Sequence, residues 1–204
     1  MNILHLDSSI LGAHSVSRAL SADIVAKLKA ATPEATVAYR DLAADPIAHL
    51  SGAYLAAAAK PDDAHGAALQ ADLATGAETL KELFAADVLV IGLGFYNFTI
   101  PSQLKAWLDR ILVAGKTFRY DANGQVEGLA GGKRAILAIA RGAVYAEGSP
   151  YASFEHAETY LRSTLGFIGI RDIEVIAADG IAYGPDQRAA AIATAQDKIA
   201  ALAA

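Results

Sequence analysis

Three serines and a run of aromatic rings are the residues of this chain best placed to do chemistry. Ser9, Ser15 and Ser17 fall within SSILGAHSVS, between a short apolar stretch and a long helical pattern. The first N–H groups of a helix lack intrahelical acceptors and its dipole is positive there, so hydroxyls at such a start can hold one phosphate monoester. No Gly-Lys-Ser follows, which separates this loop from the metal-dependent phosphate loops of nucleotide hydrolases. Ser15 or Ser17 could equally be a plain helix cap, and His14 a further donor or a solvated loop residue. The second group is GFYNF (94–98), where DVLVIGL empties into a loop. Bulky rings in such a place cover either the core or a ligand. Phe95 and Phe98 can pack on a flat ring, and Asn97 can hydrogen-bond its polar edge. A third loop, ARGAVY (140–145), follows another apolar run.

The elements around these loops alternate. Short apolar runs predict strands over 2–7, 35–42, 87–93, 134–140 and 173–179. Helical spacing predicts helices over 15–31, 51–59, 65–86, 100–115, 155–169 and 185–204, with PDDAHG (61–66) as a polar break and Pro101 in a first turn. The segment 115–133 reads as a long Gly-rich loop or a hairpin, with Asn123-Gly124 as its turn. Strands that are apolar almost throughout and separated by helices imply a parallel sheet covered on both faces. We expect one α/β domain over 1–204: a flavodoxin-like, doubly wound, five-stranded parallel sheet in the order 2-1-3-4-5, with helices on both faces. A Rossmann dinucleotide domain would need G-x-G-x-x-G after the first strand, and SSILGAHSVS has one glycine. In an open sheet of this order, ligands sit beyond the carboxyl ends of the strands at the switch point, where the three loops meet. A phosphate site beside an aromatic loop at that point fits flavin mononucleotide (FMN).

The longer motifs resemble those of the FMN-dependent NADH-azoreductases, also called NADH:quinone oxidoreductases. GFYNF stands where that family has PMYNF. IPSQLKAWLDR, AGKTFRY, LGFIGI (165–170) and GIAYGP (180–185) follow in the family's order, and SSIL and SVS match its phosphate loop. The resemblance implies that Ser9, Ser15, Val16 and Ser17 hold the phosphate and ribityl end. Phe95, Tyr96, Asn97 and Phe98 would contact the isoalloxazine, and Ala140, Arg141, Gly142 and Ala143 would line its far polar edge. Two departures stand out: Gly94-Phe95 replaces a frequent Pro-Met, and Ala140-Arg141-Gly142-Ala143 a frequent Ser-Arg-Gly-Gly. The implied function is two-electron reduction of quinones, and reductive cleavage of azo compounds, by NADH or NADPH through one non-covalent FMN per subunit in a ping-pong cycle. The flavin does the chemistry, so no catalytic side chain is assigned. The substrate pocket would be lined by Asn97, Phe98, Phe118 and Tyr120, with Phe118 or Tyr120 reaching the pocket of a second subunit in a homodimer. The other reading is a flavodoxin-type electron carrier without substrate turnover. Phe118 and Tyr120 could also simply fold the hairpin onto its own domain.

Composition narrows the field further. A net charge of −5 over 204 residues leaves no basic stripe for nucleic acid. The chain has no cysteine, which excludes disulfides and thiolate chemistry and fits a cytoplasmic location. No apolar run approaches the roughly 20 residues of a membrane span. GLAGGKR (128–134) lacks the spacing of a nucleotide loop and precedes a strand. The histidines show no ligand spacing, so no metal is expected. Trp107 shares a helical apolar face with Leu104, Leu108 and Ile111 and reads as packing.

Overall fold

The computed structural model describes residues 1–60 and 65–203. In chain order the elements are β1 (Asn2–Asp7), α1 (Val16–Ala31), β2 (Thr36–Asp41), α2 (Gly52–Ala59), α3 (Ala67–Ala85), β3 (Val88–Gly94), α4 (Ser102–Ile111), β4 (Phe118–Tyr120), β5 (Val126–Gly128), β6 (Arg134–Arg141), α5 (Ala157–Phe167), β7 (Asp172–Asp179) and α6 (Pro185–Ala201). Five strands form one parallel sheet in the order β2-β1-β3-β6-β7. Counting only its own strands, this is the expected order 2-1-3-4-5. β4 and β5 form a separate antiparallel pair.

Strand residues alternate between two apolar clusters, as the period of a pleated strand requires. Leu4, Leu6, Leu89, Ile91, Leu93, Leu137 and Ile139 pack with residues of α3, α4 and α5. Ile3, Val88, Val90, Ile136, Ala138 and Ile176 pack with residues of α1 and α6. The central strands therefore bury both faces, and all seven residues of β3 are buried. Trp107 is fully buried in the first cluster. One turn further along α4, Arg110 is also fully buried. It donates to the Ala48 carbonyl (2.9 Å) and to Asp72 (2.7 Å), and its guanidinium carbon lies 3.7 Å from the centre of the Tyr54 ring. A side chain at Gly76 would strike the Tyr54 hydroxyl at 2.1 Å, so this glycine is what lets α2 seat against α3.

Three departures from the sequence-based reading bear on the loops. α4 ends at Ile111 rather than 115, because the Thr117 hydroxyl turns back to bond the helix's last carbonyl and the Val113 N–H. Pro101 caps α4 in an extended conformation (ψ 144°) instead of lying inside its first turn. The hairpin turn is not a two-residue Asn-Gly turn. Only Gly124 has positive φ (76°), and Asp121 closes a five-residue loop by accepting the N–H groups of Asn123 and Gln125 at 2.8 Å each. The first four residues of the polar break expected over 61–66 lie outside the described residues.

Trp107→Ala should lower stability by about 3–5 kcal/mol, the range for truncating a buried large aromatic. Urea unfolding checks this, and a loss under about 1 kcal/mol would show that the cluster repacks around the gap.

Candidate functional site

The switch point of the sheet lies between β1 and β3, and the loops leaving those strands meet there. The first runs from Ser8 to Ser15. Ser8, Ser9, Ser15 and Ser17 are all buried. Ser15 caps α1 by accepting the Arg18 N–H (3.3 Å), so the capping reading holds for this residue. Its hydroxyl also lies 3.1 Å from that of Ser17. Cap and anion site are compatible, because capping occupies only one acceptor of one serine.

Arg18 was not singled out from sequence, yet it holds this loop. Its Nε and Nη2 donate to the Ser9 carbonyl at 3.1 and 2.9 Å, while both terminal nitrogens reach Asp41 at 2.6 Å. The Arg18 hydrogen bond is the main cause that takes the Asp41 carboxyl down to about 2. The N–H groups of Ala43 and Ala44 add to it. Beneath them lies Asp7, 3% exposed, which accepts from Ser21 (2.8 Å) and Tyr39 (3.1 Å). Burial raises the Tyr39 phenol above its ordinary value, and Asp7 adds to the shift. His5 is a buried strand residue, 3.5 Å from Asp7.

The second loop has a form that composition did not reveal. Tyr96 and Thr99 exchange two backbone hydrogen bonds of 3.1 Å, which closes a two-residue turn over Asn97 and Phe98. Both central residues have positive φ, 47° and 73°. This is the type I′ pattern, whose first position suits Asn and whose second strongly favours Gly. Phe98 therefore carries strain of about 1–2 kcal/mol. The turn leaves both side chains exposed, Phe98 by 48%. The Tyr96 hydroxyl points the other way, 2.9 Å from Ser9 Oγ, and so joins the two loops.

The third loop follows β6. The Ala140 carbonyl accepts from the Phe95 N–H (2.9 Å). The carbonyls of Arg141, Gly142 and Ala143 accept from Ile181, Ala182 and Gly180 in the loop after β7. The Arg141 side chain is buried and spans Glu155 (3.1 Å), Glu158 (3.1 Å) and Asp179 (3.3 Å). Burial alone would lower its affinity for a proton, but the three carboxylates outweigh it and the group is raised. The guanidinium thus serves the loop framework, 6.0 Å from the Phe95 ring. Further rings gather here: Tyr145 lies 4.5 Å from Phe95, and Phe154 lies 5.2 Å from Phe98. The His156 N–H donates to the Phe98 carbonyl (3.1 Å), tying this loop to the strained turn.

The structure thus brings together Ser9, Ser15, Val16, Ser17, the 95–98 turn and the 140–143 backbone. It places Phe118 and Tyr120 elsewhere in the chain, on the β4–β5 pair. Phe118 packs against Phe167 (4.7 Å) and is the folding anchor of the hairpin, while Tyr120 is 61% exposed. Arg18 and Asp41 were missed because their meaning is spatial. One stands a turn into α1 and the other ends the neighbouring strand. Among the described residues, no group of three or more His, Cys, Asp or Glu side chains is arranged to hold a metal ion.

A family model described as "Flavodoxin-like fold" matches residues 1–203. A protein of Xanthomonas campestris named FMN-dependent NADH:quinone oxidoreductase is 60% identical over 202 residues, covering 99% of each chain. One of Bradyrhizobium diazoefficiens, named FMN-dependent NADH:quinone oxidoreductase 2, is 60% identical over 96% of this chain and 95% of its own. Among solved structures, an azoreductase from Bacillus anthracis strain Sterne superposes with a TM-score of 0.88 at 30% identity, covering 98% of this chain and 97% of that one. An FMN-dependent NADH-azoreductase from Bacillus anthracis strain Ames Ancestor, in complex with FMN, gives 0.85 at 25% identity over the whole of both chains.

Two outcomes follow from the geometry. Asn97→Gly should leave stability within about 0.5 kcal/mol, whereas Asn97→Ala should cost about 1 kcal/mol, since alanine resists positive φ; chemical unfolding of both variants checks the turn. The Asp41 carboxyl is held below its ordinary value, so its contribution to stability is complete above about 4 and lost as pH falls through about 2. The stability gap between the wild type and Asp41→Asn should accordingly shrink over that window in acid unfolding curves.

Proposed function

We infer the function from one premise: the chain belongs to the flavodoxin-like family, among relatives named FMN-dependent NADH:quinone oxidoreductase. It is an oxidoreductase of that kind, and the neighbouring azoreductase structures extend the reading to aromatic azo compounds. The observation that carries it is the convergence of a hydroxyl-rich helix start and a strained aromatic turn at the β1/β3 switch point. This donor set fits FMN. Neutral hydroxyls and the free N–H groups at the start of α1 suit a phosphate monoester. The rings beside it suit a flat heterocycle, bound without a covalent link. Bound there, FMN would supply the two-electron chemistry between NADH and the acceptor.

The roles we assign to the chain's own residues are binding, orientation and exclusion of water. Ser9, Ser15, Val16 and Ser17 would hold the phosphate. Phe95 and Phe98 would flank the ring, and the Asn97 amide would satisfy its polar edge. The backbone of Ala140, Arg141, Gly142 and Ala143 would line the far edge, which explains why the loss of one serine hydroxyl there is tolerable. Two apolar clusters on opposite faces of one sheet support a single doubly wound domain.

The working unit we propose is a homodimer in the cytoplasm, with Tyr120 of one subunit approaching the pocket of the other. An exposed aromatic on a hairpin outside the main sheet supports this arrangement. With Phe118 anchored on Phe167, Tyr120 is the better placed of the two to cross. One pocket used first by NADH and then by the quinone gives ping-pong kinetics. Nothing found favours the electron-carrier reading.

Purified protein should bind one FMN per chain, releasable by acid, and oxidise NADH with menadione, giving parallel lines in double-reciprocal plots. FAD in place of FMN, or no flavin after reconstitution, would overturn the cofactor assignment. Intersecting lines would remove the shared pocket, and a fully active monomer in sedimentation would remove the dimer. Asn97→Gly and Asn97→Ala should weaken FMN by a similar amount, about 1–3 kcal/mol, despite their different effects on stability.

A further inference from the structure

Ser9 is pinned from every side. Its carbonyl takes two hydrogen bonds from Arg18, and its hydroxyl oxygen receives the Leu11 N–H at 3.4 Å and lies 2.9 Å from the Tyr96 hydroxyl. It is 1% exposed. A serine hydroxyl has two acceptor sites and one proton. Either hydroxyl can donate in this contact; the phenol is the more acidic of the two, and with its proton directed at Ser9 both acceptor sites of the serine are used. With both acceptor sites taken, the Ser9 proton is the one part of the group still free to meet a ligand. A hydroxyl that accepts also becomes a stronger donor.

Gly94 makes this arrangement possible. A Cβ there would stand 2.6 Å from both Cζ and Oη of Tyr96. The Tyr96 ring can lie back over the strand end only because position 94 is bare. Its hydroxyl therefore faces the β1–α1 loop, while its neighbours Asn97 and Phe98 project from the exposed turn.

We propose that Tyr96 is a positioning residue for the phosphate of the flavin, acting through Ser9, and that Gly94 is the residue that permits it. The phenol orients and polarises the Ser9 hydroxyl toward the phosphate, so Tyr96 distinguishes FMN from riboflavin. The proposal rests on the FMN reading above. It parts from the role the resemblance implies, in which Tyr96 contacts the isoalloxazine; a ring contact would serve FMN and riboflavin alike.

The test is titration of apoprotein with FMN and with riboflavin, followed by flavin fluorescence, for the wild type, Tyr96→Phe, Gly94→Ala and the double variant. Tyr96→Phe keeps the ring and removes the hydroxyl, while Gly94→Ala keeps the hydroxyl and displaces it. Each should raise the Kd for FMN roughly threefold to tenfold, the range of one hydrogen bond, with riboflavin changed less than about twofold. The double variant should be no worse than either single one, because both break the same link. Equal losses for FMN and riboflavin, or an unchanged Kd for FMN in Tyr96→Phe, would overturn the proposal. Thermal midpoints show whether Gly94→Ala still folds; if it does not, Tyr96→Phe decides alone. If the wild type binds neither flavin, it is the FMN reading that has failed.

Discussion

The buried carboxylate of Asp7 is the constraint around which the site is built. A carboxylate out of water is costly unless its oxygens are satisfied. Its partners come from two elements: Ser21 and, 3.9 Å away, Arg18 from α1, and Tyr39 from β2. On the side of β3 no partner is needed but space is. A side chain at Gly92 would lie 2.3 Å from Asp7 Oδ1. One carboxylate thus fixes the pitch of α1 on the sheet, the end of β2 and a bare position in β3. Because α1 is fixed, its N-terminus faces the switch point. Because Arg18 is drawn between Asp7 and Asp41, it reaches the Ser9 carbonyl and shapes the loop above.

The strained turn shows the opposite economy. Nothing in the core asks for positive φ at Phe98, and glycine would adopt it at no steric cost. The strain persists because the turn is held at three points: by the Tyr96–Thr99 pair, by the His156 N–H on the Phe98 carbonyl, and by Phe95 on the Ala140 carbonyl. An aromatic kept at such a position, half exposed beside Phe154, is better explained by what it covers than by what it stabilises. Rigid strands below and a turn locked from outside present Asn97 and Phe98 as fixed groups, which is how a protein lowers the cost of ordering a ligand.

Much of this was legible in the sequence because it depends on local pattern. Runs such as DVLVIGL and RAILAIA suit strands buried on both faces, their alternation with helices implies a parallel sheet, and the missing G-x-G-x-x-G favours the order 2-1-3-4-5 over the Rossmann one. The serine loop and the aromatic loop were legible for the same reason, since strand ends at a switch point are predictable. What was not legible depends on distance in the chain. Arg18 looks like any helix-surface cation until Asp41, 23 residues later, arrives beside it. Asn123-Gly124 looked like a two-residue turn, but Asp121 competes for the N–H groups and wins a longer loop. Asn97 was read for its amide. Its first property is its backbone, and the signal for that was present in asparagine's tolerance of the left-handed region.

Gly94 shows how a departure from a family's pattern can be visible long before its meaning is. Replacing Pro-Met by Gly-Phe at 94 and 95 looks like two changes facing a ring. In the fold they act in different directions. Phe95 turns to Tyr145 and toward Arg141, joining the third loop. Gly94 opens the space into which the Tyr96 ring falls, and thereby connects the second loop to the first. The pair therefore ties the three loops together, in a space where a Cβ at 94 would stand 2.6 Å from the end of the Tyr96 ring. A site assembled from strand-end loops gains nothing from the sheet beyond a fixed set of starting points. Its rigidity has to come from contacts between the loops themselves, and in this chain these two neighbouring residues make such contacts possible.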